Sequence, residues 1–164
     1  MFISRFEQAE SSPGFLLWQL TNLWQQRIRS ALAPLGITQV QFVLLASVAW
    51  LENTEKLVSQ TALSHYAHTD IMMTSQVVRT LAEKGLFTRT NHPTDTRVKV
   101  VSLTEKGRTI VQTAVSVVET IDDQFFQELG GQAETFVGLM QQLIRAQSAV
   151  KVPPDEVERD AVAN

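Results

Sequence analysis

Two adjacent segments decide the fold of this chain: DIMMTSQVVRTLAEKG, residues 70–85, and LFTRTNHPTDTRVKVVSL, residues 86–103. The first segment predicts a short amphipathic helix, with Asp70 as its N-cap and Gly85 as its C-cap. Steps of about 100° per residue divide this helix into two faces. The face predicted to pack inward contains Ile71, Thr74, Val77, Val78 and Leu81. The opposite face carries Met72, Gln76, Arg79 and Glu83, flanked by Met73, Ser75 and Thr80.

The second segment has the composition of two β-strands joined by a turn at residues 91–96, and it predicts a basic hairpin. Upstream, Thr38 and Gln41 have the spacing of a capping box, so a helix begins there. Ser59 caps a further short helix, which a tight turn connects to Asp70. Two short helices joined in this way form a helix-turn-helix. A helix-turn-helix followed by a basic hairpin is typical of a recognition helix followed by a DNA-binding wing.

Long apolar helices are predicted on both sides of this region. The helix over residues 15–33 is apolar nearly all round in its first half, which indicates burial both inside the fold and against a partner. The alternative is that it forms the central helix of a single core. After the capping residue Thr104, a long helical pair is broken by Gly130 and Gly131. Its last helix is lined by apolar residues: Phe136, Leu139, Met140, Leu143 and Ile144.

The predicted fold class is mainly α with a small β-hairpin wing (α+β), a winged helix-turn-helix joined to a helical dimerisation region. We expect an N-terminal arm at residues 1–11 and the dimerisation region at residues 12–37 and 105–147. The winged helix-turn-helix DNA-binding domain then spans residues 38–104. Residues 148–164 are expected to form a flexible C-terminal tail, because they have little apolar surface to bury.

Composition and charge exclude several classes of function. The chain has 164 residues, 44% hydrophobic and 19% charged, which is ordinary for a globular domain. It contains no cysteine, which excludes disulfides, thiolate metal sites and thiol chemistry. The net charge is -3, but residues 57–108 carry seven Lys and Arg against four Asp and Glu, a net +3. A basic segment within an acidic chain suits a protein that presents one face to phosphate.

Residue types on the outward helix face and the hairpin suit contacts to double-stranded DNA. Gln76 and Arg79 can donate and accept hydrogen bonds at base edges in the major groove. Just past the hairpin turn, Arg97 can enter the minor groove while Asp95 orients it. The alternatives are a solvated surface helix and a weak surface ion pair. The full set predicted to bind DNA is Met72, Met73, Ser75, Gln76, Arg79, Thr80, Arg89, His92, Asp95, Arg97 and Lys99.

Four motifs follow one another from the helix through the hairpin: LAEKGL at residues 81–86, Arg89, DTR at residues 95–97 and VSLTEKG at residues 101–107. In this order they resemble the MarR family of winged helix-turn-helix transcription regulators nearly position for position. The resemblance extends over roughly residues 12–147 of the chain. It implies that residues 70–84 form the recognition helix and that Arg97 is the wing-tip arginine, with Asp95 as its partner. It also implies an obligate homodimer built from the first and the last two helices.

The resemblance further implies a small, often aromatic or phenolic, effector bound between the dimerisation helices and the DNA-binding domain. The candidate lining residues are Trp18, Trp24, Trp50 and His68, with core packing of the tryptophans as the alternative. The chain departs from the family at Met72 and Met73, where more polar residues are expected. The resulting prediction is a homodimeric repressor that a ligand releases from a pseudo-palindromic operator. The alternative is a winged-helix module for protein contacts that does not bind DNA.

Other classes of function find little support in the sequence. His65 and His68, with Asp70 close by, form only a weak metal constellation. The sequence contains no Gly-rich phosphate loop, Gly-x-Ser-x-Gly elbow or His-Glu-x-x-His motif. We therefore expect no catalytic residue, metal or cofactor, and no enzyme activity. Because no apolar run reaches the ~20 residues of a membrane helix and the N-terminus does not resemble a signal peptide, we expect a cytoplasmic protein without a membrane partner.

Overall fold

The computed structural model describes residues 5–55 and 57–149, and it confirms a mainly helical fold with a small antiparallel sheet. The regular elements are α1 (Pro13–Leu32), α2 (Gln39–Leu51), β1 (Val58–Ser59), α3 (Gln60–Tyr66), α4 (Ile71–Glu83), β2 (Phe87–Asn91), β3 (Lys99–Leu103), α5 (Glu105–Phe126) and α6 (Ala133–Ala149). The described residues divide into two compact units, one ending at Phe125 and the other beginning at Phe126. The predicted tail at residues 148–164 lies outside the described residues except for its first two positions, which end α6.

Polar residues set the helix starts where the sequence predicts them. Thr38 Oγ1 accepts a hydrogen bond from the Gln41 N–H, and Gln41 Oε1 accepts one from the Thr38 N–H, both at 3.2 Å. The predicted capping box at the start of α2 is therefore formed. Ser59, Asp70 and Thr104 cap α3, α4 and α5, each accepting a backbone N–H at 2.9 to 3.0 Å. Each cap satisfies a donor that would otherwise lack a partner in the first turn.

The central helix of the first unit is α2. Its residues Leu44, Leu45 and Val48 are fully buried, whereas α1 buries only Ile28 and Leu32 near its end. The alternative that residues 15–33 form the central helix of one core is therefore wrong. Among the described residues, no single helix is long and apolar enough to cross a membrane. Helices α1 and α2 are long and apolar enough only when taken together, and the chain bends by 77° between them.

The wing is the predicted hairpin of β2 and β3. These strands pair antiparallel, from Phe87 opposite Leu103 to Asn91 opposite Lys99. A third strand, β1, pairs with the other edge of β3 and gives the order β1-β3-β2. The sequence does not predict β1, because two residues are too few to show an alternating pattern. Through β1, the wing is hydrogen-bonded to the connection between α2 and α3.

In the second unit, the break between helices falls where the sequence places it. Gly130 adopts a φ of +49° in a 3-10 turn at Gln127–Gln132. The rings of Phe126 and Phe136 lie 5.9 Å apart, centroid to centroid, on either side of this turn. Helix α6 leaves a set of apolar side chains exposed: Val137, Leu139, Met140, Leu143 and Ile144.

Candidate nucleic-acid interface

Hydroxyl and backbone contacts hold the turn between α3 and α4. His68 reverses the chain there with a φ of +50°, which is uncommon for a residue other than glycine. The Thr69 N–H donates to the Ser64 carbonyl at 3.0 Å, and the buried Thr74 hydroxyl donates to the Asp70 carbonyl at 2.8 Å. Because the Thr74 proton is already used, the Thr69 hydroxyl donates to Thr74 Oγ1, 2.8 Å away. These bonds fix the direction in which α4 leaves the turn.

The two faces of α4 agree with the prediction except at the first residue of the helix. Thr74, Val78 and Leu81 are buried, and Val77 is half-buried. Ile71 is 44% exposed, so its predicted inward packing is wrong. It lies one turn before Thr74, past the edge of the core. The exposed side contains Met72, Met73, Gln76, Arg79 and Glu83, with half-buried Ser75 and Thr80 at its margins.

Lysine side chains connect the end of α4 to the helices around it. Lys84 Nζ donates to the Gly36 carbonyl at 2.8 Å and to Gln41 Oε1 at 3.0 Å. Lys106 Nζ donates to the Lys84 carbonyl at 2.9 Å. The left-handed Gly85, with a φ of +70°, ends the helix as predicted. Both lysines of the basic segment at this junction therefore hold the end of α4 in place.

An ion pair with two hydrogen bonds lies at the tip of the wing. Arg97 Nε donates to Asp95 Oδ1 at 3.1 Å, and Arg97 Nη2 donates to Asp95 Oδ2 at 3.2 Å. The Arg97 side chain is nevertheless 89% exposed. Its guanidinium holds the pKa of the Asp95 carboxyl below the ordinary value, and the carboxylate raises the pKa of Arg97. Both groups are therefore charged at neutral pH, and the guanidinium is oriented while open to solvent.

Neighbouring residues constrain three further wing residues that the sequence assigns to DNA. Arg89 Nε donates to Gln60 Oε1 of α3 at 3.4 Å, so its stem connects β2 to the helix-turn-helix. Lys99 Nζ donates to Asn91 Oδ1 on the paired strand. His92 Nδ1 accepts a backbone N–H two residues further on, within the hairpin turn. These contacts restrict where each side chain can reach.

Two residues that sequence reasoning missed position the wing. Glu52, at the end of α2, accepts the Leu103 N–H of β3 at 2.9 Å, and its second oxygen lies 2.8 Å from Arg108 Nη2. No sequence signal identifies Glu52, because its β3 partner is 51 residues away. Gly107 lets α5 approach the segment before β2: a Cβ there would lie only 2.1 Å from the Leu86 carbonyl oxygen. The glycine in the motif at residues 101–107 was a signal for this contact.

The structure distributes the four candidate effector-binding residues over α1, α2 and the turn before α4. Trp24 is half-buried, and its Nε1 donates to Asp122 Oδ1 of α5 at 2.7 Å. Trp18 and Trp50 are exposed, which is at odds with core packing for these two. His68 is also exposed. A groove of about 680 Å³ is lined by a different set of residues: Leu23, Gln26, Arg27, Ser30, Ala31 and Ile121.

The candidate metal ligands His65, His68 and Asp70 all lie among the residues that the structure describes. Within residues 5–55 and 57–149, no group of three or more His, Asp or Glu side chains is placed to hold a metal ion. His65 and His68 are both exposed. Asp70 Oδ1 instead accepts two backbone N–H groups as the cap of α4.

The winged-helix geometry is shared with known proteins. A family model described as "ArnR1-like, winged-helix domain" matches residues 35–121, more than half of the chain. YdcH of Bacillus subtilis (strain 168), an uncharacterised HTH-type transcriptional regulator, is 42% identical over 142 residues, 87% of this chain and 96% of that protein. The chain belongs to the MarR family of transcription regulators. As a member of this family it is not an enzyme, which confirms that expectation.

This MarR-family chain is also similar to two regulators from other bacteria. CouR from Rhodococcus jostii RHA1, solved bound to p-coumaroyl-CoA, is 25% identical with a TM-score of 0.74, covering 93% of this chain and 100% of that one. The HTH-type transcriptional repressor Rv2887 of Mycobacterium tuberculosis (strain ATCC 25618 / H37Rv) is 26% identical over 122 residues, 74% of this chain and 85% of that protein. A structure of Rv2887 in complex with DNA has a TM-score of 0.63 at 24% identity, covers 81% of this chain and 98% of that one, and shows the shared fold alone.

Proposed function

We propose that this MarR-family regulator is a cytoplasmic, homodimeric repressor that binds a pseudo-palindromic operator and is released from it by a small ligand. The observation that carries the proposal is the Arg97 side chain, 89% exposed at the tip of the wing and oriented by Asp95. The exposed side of α4 supplies a second contact. Together they suit a winged helix that places α4 in the major groove and the wing in an adjacent minor groove.

Charge and residue type support this assignment of the DNA contacts. Residues 57–108 carry a net +3 in a chain of net charge -3, so the segment that contains α4 and the wing is the one that attracts phosphate. Gln76 and Arg79 are exposed and have the donors and acceptors that base edges require. We assign phosphate contacts to Ser75 and Thr80, which flank them. Arg89, His92 and Lys99 add positive or polar groups along the hairpin.

Exposed apolar surface supports the homodimer. On α1, the first half leaves five apolar side chains in contact with solvent: Phe15, Leu16, Leu17, Trp18 and Leu20. Helix α6 of the second unit likewise exposes five apolar side chains from Val137 to Ile144. Apolar sets of this size on a single chain indicate a partner surface. A two-fold dimer formed through residues 12–37 and 105–147 would cover them and present two α4 helices to one DNA duplex.

The names of relatives support repression and control by ligand. Rv2887 is named a repressor, and CouR was solved with p-coumaroyl-CoA, a phenolic ligand. In this chain, the groove of about 680 Å³ on the first unit combines apolar Leu23 and Ile121 with the cationic Arg27. That combination suits an aromatic acid. Of the four candidate effector-binding residues, Trp24 alone is adjacent in sequence to a residue of this groove, Leu23.

A gel-shift and anisotropy assay on the DNA that flanks the protein's own gene tests the proposal. Wild-type affinity should fall with added salt, and Arg97→Ala should weaken binding and reduce the salt slope by about one charge. Arg97→Lys should recover only part of the affinity, because an ammonium is costlier to desolvate in a narrow groove. Arg145→Ala, which removes an exposed arginine of α6, is the matched control and should leave the slope unchanged.

The same samples test the remaining parts of the proposal. Light scattering should give a dimer at micromolar concentration, and footprints should show two half-sites with centres about 10 bp apart. Phenolic acids added to the complex should release the DNA. Absence of any salt-dependent DNA affinity would instead favour a winged-helix module for protein contacts.

A further inference from the structure

The exposed side of α4 begins with two apolar residues, Met72 and Met73, which form the apolar tip of the helix. Met72 is 76% exposed, and Met73 beside it is also exposed. The core contacts of the helix come from other residues, since Thr74, Val78 and Leu81 are buried. An apolar side chain that stays in water contributes little to folding. The two side chains are therefore free to contact what the protein binds.

The backbone of the first turn of α4 is already in use. Asp70 Oδ1 accepts the N–H groups of both Met72 and Met73 at 2.9 Å. Its carboxylate also places negative charge where a helix N-terminus would otherwise attract phosphate. The side chains of these two residues, and not the helix terminus, are therefore what this turn can offer to DNA.

The position of Met72 on the helix suits contact with base edges. Met72, Gln76 and Arg79 follow one line of the helix surface, because residues three and four apart are neighbours. A rise of about 1.5 Å per residue places Met72 about 6 Å before Gln76 and about 10 Å before Arg79. This length corresponds to about three base-pair steps of roughly 3.4 Å. Recognition helices contact base edges with their N-terminal residues, and Met72 is the second residue of α4.

The chemistry of methionine selects one base. The only apolar group that base pairs present in the major groove is the C5 methyl of thymine. A thioether donates no hydrogen bond and accepts only weakly, so it cannot satisfy the amino group of cytosine. We propose that Met72, supported by Met73, selects thymine in each half-site by packing against its C5 methyl group. The inference rests on the proposed DNA binding and deepens it by naming the base and the chemical group that is read.

Deoxyuridine tests the inference, since it lacks only the methyl group of thymidine. Wild-type protein first selects duplexes from a random library, and each dT of the selected operator is then replaced by dU, one position at a time. We expect one position per half-site where dU weakens binding about fourfold, because burial of one methyl-sized group is worth roughly that factor. Replacement in both half-sites should weaken binding about 16-fold.

Variants of the helix tip identify the side chain responsible. Met72→Gln should bind the dT and dU duplexes equally, whereas Met72→Leu should keep the preference for dT. Ile71→Gln is the matched control, because Ile71 is also exposed in the first turn but points about 100° away. It should keep the full preference. Thermal unfolding should be the same for the Met72 variants and the wild type, because Met72 is not part of the core.

The outcomes separate this inference from the proposed function. If no dT is sensitive to dU, or if Met72→Gln keeps the wild-type sensitivity, the inference is overturned while DNA binding stands. If only Met73→Gln loses the sensitivity, the assignment to Met72 is wrong. If the wild-type protein selects no duplex, the proposed function is overturned, and this inference with it.

Discussion

Replacing Gly107 with alanine is expected to destabilise the protein by about 3 kcal/mol. Gly107 lies in the first turn of α5, against the segment that joins α4 to β2. An added Cβ would lie 2.1 Å from the Leu86 carbonyl oxygen, 3.0 Å from Leu86 C and 3.1 Å from Leu103 Cδ2. The Leu103 side chain can move by the few tenths of an ångström that it must. The Leu86 carbonyl oxygen must move further than that, and its backbone cannot move so far without separating α5 from the wing.

The magnitude follows from three contributions. Overpacking of this severity costs about 3 kcal/mol. The separation also strains the bond from the Thr104 N–H to the Leu86 carbonyl, at 3.1 Å, which costs about 1 kcal/mol. The higher helix propensity of alanine returns about 1 kcal/mol. The net loss of about 3 kcal/mol should lower the Tm by about 6 to 12 °C in a chain of this length.

Thermal and urea unfolding, followed by circular dichroism, measure this loss. The protein concentration is kept fixed, because the stability of the proposed dimer would depend on it. Gly14→Ala is the matched control, since nothing lies within 4 Å of a Cβ at that position. Its free energy of unfolding should change by less than about 0.5 kcal/mol. Equal stability of Gly107→Ala and the wild type would refute the close approach of α5 to Leu86.

Three further predictions concern the contacts around the wing. Glu52→Ala should cost about 2 kcal/mol in urea unfolding, since it leaves the Leu103 N–H unpaired, and Glu52→Gln should recover part of that loss by keeping an acceptor. Lys84→Met should cost about 1 kcal/mol but leave the salt slope of DNA binding unchanged, because this ammonium bonds within the protein. The Asp95 carboxyl should titrate below 3.8 by NMR and move towards that value in Arg97→Ala. Because the pKa of Asp95 is lowered, the ion pair stabilises the wing fully at pH values above the ordinary carboxyl pKa. This stabilisation is lost as the pH falls through the lowered pKa of Asp95. An unchanged Asp95 titration in Arg97→Ala would contradict the pairing.

Local sequence determined the helix starts and the tip of the wing. Thr38 and Gln41 satisfy each other's backbone N–H groups three residues apart, and Asp70 caps the turn that directly follows it. Asp95 and Arg97 are two residues apart, so their pairing also needs no distant contact. Helical periodicity identified the exposed side of α4, because the residues that share a face are fixed by the helix geometry itself.

Only the tertiary structure decided where burial ends and which distant residues meet. Ile71 has the periodicity of a core residue but lies one turn past the edge of the core, and Trp50 is apolar yet exposed. The bond between Glu52 and Leu103 joins residues 51 positions apart, and Lys84 reaches Gly36 across 48. Periodicity gives the direction of a side chain relative to its own helix. Burial and long-range hydrogen bonds depend on which other elements are packed there, and that is fixed only when the whole chain folds.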